Sequence, residues 1–387
     1  MRYLNDLTIY LTEKCNFNCS YCYYNKNFTT TLDLGKLEKC LNLLFSQVDK
    51  EKKVNVTILG GEPFLEKTIL FQTVDKINKI ANKKSISIGI LLFTNGSILL
   101  KEDLKQLFKK NVRIYLSLDG SKKSNDSYRK FRYNQSISTF DLIMNNLNSL
   151  PKEYLKNMHI NMVIGPKNCK HLMENVRFLS KFGFSSIDLS LLSYSHWPKK
   201  SLKELIEQLN IFYKYYTSMF IENKGVPFKI HQLGELFSGG WDKMDRCNRL
   251  KLAPDGNLYF CDAFFSIPCK KRSKYKVGNV KNGFSIEKIE NLREEAKIGI
   301  KDIFPKTFLL HEQDKQIYCP YGVYFYSKLH RKNLKKSLKN FYLFSRIHSS
   351  LLMYLFNKLK DNKKFINFYK KDFNINQKNS LELGYKY

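Results

Sequence analysis

Cys15-Asn16-Phe17-Asn18-Cys19-Ser20-Tyr21-Cys22 holds three of the chain's nine cysteines and follows directly on the apolar run Leu7-Thr8-Ile9-Tyr10-Leu11. The spacing C-x3-C-x2-C lets three thiolates converge on one small inorganic body, yet it leaves a four-coordinate site one ligand short. A structural zinc site is closed by four protein ligands, and an electron-transfer cluster by four cysteines. A cubane held at three corners keeps its fourth iron open. The competing reading is half of a zinc site completed by a distant His or Cys, and the motif alone does not separate the two.

The chain has 387 residues, 43% of them hydrophobic, enough for one large domain and a smaller one. Met1-Arg2-Tyr3-Leu4-Asn5-Asp6 is no signal peptide, and no run of uncharged apolar residues reaches the length of a membrane span. Cysteines without a secretory signal point to a reducing cytoplasm, where clustered thiols bind metal more often than they pair. The formal charge of +31 is compatible with an anionic partner, but lysines are spread through every segment alongside abundant Asn, Ile and Phe. That spread fits compositional bias better than a nucleic-acid footprint.

Residues 1–222 alternate strand and helix. Near-continuous apolar runs at Leu7–Leu11, Val54–Leu59, Ile86–Phe93, Val112–Ser117, His159–Ile164 and Ile187–Leu192 read as buried parallel strands. Helical patterns lie between them at Leu34–Phe45, Ile69–Ala81, Lys101–Lys110, Thr139–Leu150, Cys169–Phe182 and Leu202–Ile221. Six such units demand right-handed crossovers, and their number suits an open partial barrel better than a closed eightfold one. Function in such a barrel belongs at the C-terminal strand ends. There stand the cysteine loop, then Gly60-Gly61-Glu62-Pro63, Thr94-Asn95-Gly96 and Ser117-Leu118-Asp119-Gly120, with Asn125-Asp126-Ser127-Tyr128-Arg129 following. The glycines allow close backbone approach to a ligand, and Glu62 offers a carboxylate to an ammonium group.

Together these stretches resemble the radical S-adenosylmethionine (radical SAM) superfamily. The resemblance implies an α/β fold, a partial (β/α)6 barrel, in which Cys15, Cys19 and Cys22 hold a [4Fe–4S] cluster. Its open iron is chelated by the amine and carboxylate of SAM, and an electron from the cluster yields a 5′-deoxyadenosyl radical. It further implies that Gly60, Gly61, Glu62 and Pro63 hold the SAM amino group and that Thr94 and Asn95 belong to a shared T-N-G turn. Ser117 and Asp119 would contact the ribose and head group, with Tyr21 beside the adenine through its backbone. Asn125 replaces the His of the family's H-D-x-x-R, while Arg129 stays able to pair with a carboxylate. An electron donor such as flavodoxin or ferredoxin is implied as well.

Gly225-Val226-Pro227 marks a boundary, after which come Cys247, Cys261, Cys269 and Cys319. Pro254-Asp255-Gly256-Asn257 signals a hairpin that brings Cys247 and Cys261 near each other. The C-x13-C spacing with P-D-G resembles the opening of SPASM domains, the auxiliary-cluster extensions of peptide-modifying radical SAM enzymes. Seven cysteines serve two clusters there. Four remain here, which matches the truncated twitch form with one auxiliary Fe–S cluster. Cys247, Cys261 and Cys319 match best, and Cys269, in a Lys-rich loop, is the less secure fourth ligand. Zinc is the alternative occupant, and an open iron would be free for substrate if Cys269 is not a ligand. Cys40 and Cys169 read as small core residues. The histidines, His196 and His231 included, show no metal spacing.

The extension spans residues 226–327, and residues 328–387 form a basic helical tail with 15 Lys and Arg against 3 Asp and Glu. Such a tail lies on an anionic membrane as a peripheral contact, grips an acidic peptide, or packs on the barrel with its lysines in water. The expected activity is hydrogen abstraction from a side chain of a ribosomally made peptide or a protein, as in RiPP or sulfatase maturation. The chain starts at its first barrel strand, so leader recognition falls to a separate leader-binding protein or to the basic surface. Dehydrogenation of a small molecule is the alternative. A nucleic-acid modifier and a non-enzymatic Fe–S or zinc sensor fit less well, since a sensor needs no SAM site.

Overall fold

The computed structural model describes residues 5–24, 29–49, 51, 53–222, 225, 228–237, 249–303 and 319–370. Strand β1 (Asp6–Tyr10) leads through the cysteine loop to helix α1 (Leu34–Phe45), whose first turn is capped by Asp33 accepting from the Lys36 amide at 3.0 Å. Next come β2 (Val54–Leu59), α2 (Lys67–Lys83), β3 (Ile88–Thr94), α3 (Lys101–Lys109) and β4 (Val112–Ser117). Helices α4 (Lys122–Tyr128) and α5 (Thr139–Asn148) lead to β5 (Met158–Ile164), α6 (Leu172–Ser180), β6 (Ser186–Leu191) and α7 (Lys199–Ile221). The six anticipated strands fall on β1 to β6 with ends within two residues, and all neighbouring pairs are parallel. The fold is the expected α/β partial barrel.

Alternation along the strands sets the two faces. In β2, Val54, Val56 and Ile58 are fully buried while Asn55, Thr57 and Leu59 are half-buried. The buried set meets the helices, and the other set lines the barrel's interior.

The extension begins with the short β7 (Lys229–Ile230), parallel to β6. The hairpin β8 (Arg249–Leu252) and β9 (Asn257–Tyr259) turns at Pro254–Gly256 as the sequence signals. Strand β8 pairs in parallel with β1, from Asp6↔Arg249 to Ile9↔Leu252. Adding β10 (Gly278–Asn279) and β11 (Gly283–Phe284) gives, among the described residues, one sheet in the order β11-β10-β9-β8-β1-β2-β3-β4-β5-β6-β7. The hairpin therefore continues the barrel sheet beyond β1. Helix α8 (Ile286–Ile303) and helix α9 (Pro320–Leu329) follow.

The tail helices α10 (Leu334–Leu359) and α11 (Lys363–Lys370) lie on the barrel. Buried His348 of α10 meets the Tyr213 hydroxyl of α7 at 2.6 Å. Tyr369 of α11 accepts from the Ile230 amide at 2.8 Å and contacts the Tyr216 hydroxyl at 2.7 Å. Phe341, Tyr342, Phe356, Phe365 and Tyr369 are buried in this packing, while Lys335, Lys336, Lys339 and Lys358 point to solvent. No helix among the described residues is long and apolar enough to cross a membrane.

Candidate active site at the strand ends

Backbone pairing fixes the cysteine loop. Asn18 and Ser20 donate to the Lys130 and Tyr128 carbonyls at 2.7 and 2.8 Å, and Arg132 donates to the Asn16 carbonyl at 2.8 Å. Phe17 is buried against Phe131, so the apolar residue of the motif anchors a loop of polar groups. Cys15 is buried, Cys19 half-buried and Cys22 exposed.

The second strand end presses on this loop. A β-carbon on Gly61 would sit 1.9 Å from the Lys14 carbonyl oxygen and 3.0 Å from the Cys15 β-carbon, and one on Gly60 2.4 Å from the Thr12 oxygen. Only glycine fits there. Glu62, 1% exposed, turns its carboxylate inward. It accepts from the Phe64 amide at 3.1 Å, the Thr94 hydroxyl at 2.8 Å and the Asn95 amide at 2.7 Å, with Pro63 opening the turn that it caps. Burial pushes this carboxyl up to about 7 against those hydrogen bonds. The Asn95 side chain donates to Asn16 Oδ1 at 2.9 Å, so the G-G-E-P, T-N-G and cysteine segments form one network.

Asp119 anchors the other side. Its fully buried carboxylate accepts from Arg129 Nε and Nη2 at 3.0 and 2.9 Å, the Tyr21 hydroxyl at 3.0 Å and the Val163 amide at 2.9 Å. Burial opposes the Arg129 charge most strongly, but Asp119, Tyr21 and Cys19 together more than offset it, so the guanidinium is held above its ordinary value. It also lies over the Tyr21 ring, 5.3 Å from the centroid. The carboxylate that pairs with Arg129 in the structure is thus Asp119. Ser117, at the end of β4, is half-buried beside this pair and in register with Asn161.

Of the second cysteine set, Cys247 lies outside the described residues. Burial, then the charge of Cys319, pushes the Cys261 thiol up. The Cys269 thiol donates to Asp255 Oδ2 at 3.2 Å, at the turn of the hairpin. Cys261 follows the opposite, open end of β9, roughly 10 Å of extended chain away. Among the described residues no three His, Cys, Asp or Glu side chains converge on a single metal ion. The thiols of a cubane bind separate irons and need no such convergence. Cys40 and Cys169 are buried, with their thiols pushed up to about 12 and about 11 by burial, as core residues should be.

Residues that the motifs do not reveal join the two sets. Tyr10, the last residue of β1, donates to Asp262 Oδ1 at 2.6 Å and meets the Tyr23 hydroxyl at 2.9 Å. Lys251, 5% exposed, pairs with Asp262 Oδ2 at 2.9 Å, while the Asp262 side chain stays 40% exposed. The Tyr194 phenol, raised chiefly by burial, lies in the field of Cys261, Asp262, Cys319 and Tyr23. Its ring stacks on Tyr326 with centroids 4.4 Å apart, and Tyr326 in turn feels Cys22. Position alone carried the signal: Tyr23 follows Cys22, Asp262 follows Cys261, and Tyr10 ends the first strand.

Three thiols on a pinned loop, a glycine cradle against it and two further thiols beyond a group of phenols thus stand at the strand ends of a partial barrel. Residues 9–179 match the family model described as the Radical SAM superfamily. Over those residues the chain carries a radical SAM domain. It is 24% identical to the cysteine-type anaerobic sulfatase-maturating enzyme of Clostridium novyi over 301 residues, 72% of this chain and 77% of that one. It is 25% identical to a probable GTP 3',8-cyclase of Sulfurisphaera tokodaii over 319 residues, 77% of this chain and 93% of that one. The solved structure of native anSMEcpe with bound AdoMet and Kp18Cys peptide superposes with a TM-score of 0.63 at 18% identity, covering 89% of this chain and 98% of that one.

Proposed function

We propose that this enzyme oxidatively modifies a side chain of a peptide or protein. The observation that carries the reading is Asp262, a half-exposed carboxylate held by Tyr10 and Lys251 in the gap between the two cysteine sets. Cys15, Cys19 and Cys22 would hold the [4Fe–4S] cluster, and Cys261 and Cys319, with Cys247, the auxiliary Fe–S cluster of an extension spanning residues 226–327. When bound, the first cluster with SAM supplies a radical able to take hydrogen from an unactivated C–H bond, and the auxiliary cluster supplies an acceptor for the remaining electron. The chain does the rest. The Asp119–Arg129–Tyr21 unit holds the SAM side of the cysteine loop rigid, and the glycines keep the G-G-E-P backbone within reach of the SAM amino group. Asp262 receives the substrate proton, and Tyr10 and Lys251 orient its two oxygens. The similarity to a sulfatase-maturating enzyme supports a peptide substrate. The similarity to a GTP cyclase favours the second reading, a small nucleotide.

Anaerobic turnover of the reconstituted enzyme with reductant and SAM separates the two. Peptides bearing Cys or Ser should raise 5′-deoxyadenosine release and leave a product lighter by about 2 Da, the mass of two hydrogens. Stimulation by GTP without any peptide product would move the assignment to nucleotide chemistry. With a competent peptide, Asp262→Asn should cut product formation about 10²- to 10⁴-fold while 5′-deoxyadenosine release persists.

A further inference from the structure

The opposite, N-terminal mouth of the barrel contains a cavity of about 770 Å³, within the size range of small-molecule sites. Four basic side chains reach it from separate elements: Arg113 of β4, Lys156 ahead of β5, His159 of β5 and Lys229 of β7. Among the described residues its lining holds no carboxylate. Behind Arg113 stands Lys53. A β-carbon on Gly89 would meet Lys53 Cε at 2.9 Å and Arg113 Nη2 at 3.2 Å, so the two cationic chains converge over one bare α-carbon. Burial, and then the Arg113 charge, lowers the Lys53 amine. Asn55 Oδ1 lies 3.2 Å from the same β-carbon position, so the cradle sets a neutral acceptor beside two like charges. Carboxylates pair with some lysines elsewhere, as in Lys14–Glu66, Lys76–Glu38 and Lys110–Asp75.

The remaining wall is aromatic. Phe108, Phe184 and Phe368 line the cavity, and the Lys229 amine lies 5.1 Å from the Phe368 ring centroid. His159 is held in place by Ser186 Oγ at 2.7 Å and by stacking on Tyr115 with centroids 4.8 Å apart. Cations on one side and flat apolar surface on the other match a ligand with a multiply charged phosphate group and a planar body. We propose that this mouth of the barrel is a binding site for a phosphorylated small molecule of nucleotide size, separate from the SAM site at the other end of the strands.

The test uses the full-length reconstituted enzyme and calorimetric titration with ATP, tripolyphosphate and adenosine. A double variant, Arg113→Glu with Lys156→Glu, is compared with a control of equal charge change on the outer face of α10, Lys335→Glu with Lys339→Glu. The expected result is binding of ATP and tripolyphosphate but not adenosine, weakened about tenfold or more in the cavity variant and less than about twofold in the control. The milder Arg113→Gln with Lys156→Gln should weaken binding in the same direction at an unchanged melting temperature, which separates loss of the site from loss of the fold. No binding by the wild type overturns the proposal. So does equal weakening in cavity variant and control, since that would assign the binding to overall charge.

Discussion

Glu62 is the residue whose chemistry the fold constrains most closely. A carboxyl whose folded pKa lies above its free value binds its proton more tightly in the native state than in the unfolded chain. Its contribution is therefore fully present below about 4.5 and is lost as pH rises through about 7, the value to which burial pushes Glu62. The expected outcome is that apoprotein carrying Glu62→Gln loses less stability than wild type between pH 5 and 8. The differential is on the order of 3 kcal/mol by linkage, read from denaturant midpoints at each pH. Parallel curves would mean that Glu62 is ionised across the range. Cys269 gives a second prediction at this scale. Its thiol is engaged by Asp255 at the hairpin turn, so Cys269→Ser should leave iron and sulfide content unchanged. Cys261→Ser should lower both. Equal loss in the two variants would restore Cys269 as a ligand. Asp119 supplies a third. Removing one partner of a buried pair leaves an uncompensated charge, so Asp119→Asn should cost about 3–5 kcal/mol and free the Tyr21 hydroxyl. Asp119→Asn with a wild-type denaturation midpoint would refute that.

At the scale of elements, α10 shows what decides the fate of a basic helix. Lys335, Lys336, Lys339 and Lys358 face water, Phe341, Tyr342 and Phe356 are buried, and His348 is buried against Tyr213 of α7. Burial depresses His348 to about 3, so its contribution is present above its free value near 6.5 and is lost as pH falls below it. Acidification from pH 7 to 5 should expose the tail to protease in the wild type and much less steeply in His348→Gln. An identical pH profile would place the sensitive group elsewhere. Sequence reading found the strands and helices of the barrel because period and apolar content agree there, as in Val54–Leu59 and Leu34–Phe45. It left α10 undecided between membrane, peptide and packing, because an amphipathic face does not name what covers it. Cys15, Cys19 and Cys22 were legible because their spacing is local. Asp262, Tyr10 and Lys251 were not, because β8 brings them together only by pairing with β1 across more than 200 positions of sequence.

That pairing organises the whole molecule. Since β8 lies beside β1, the loop after β1 stands across from Cys261 and Cys319, with Tyr10, Tyr23, Tyr194 and Tyr326 around the gap. Two clusters in this arrangement should assemble independently, because the first takes its ligands from the loop after β1 and the second from the extension, and the two share no cysteine. Reconstituted wild type is then expected to hold about eight irons per chain, on the basis of about four per cubane. The Cys15/Cys19/Cys22→Ala variant should keep about four and lose all SAM cleavage. A Cys261/Cys319→Ala variant should also keep about four, retain SAM cleavage and lose the oxidised product. The second variant is the decisive one. If it keeps making product, the electron leaves by another route and the phenol-lined gap serves only to position substrate. If it loses SAM cleavage too, the two sites are coupled through β1 and β8, and the sheet junction itself becomes part of the catalytic machinery.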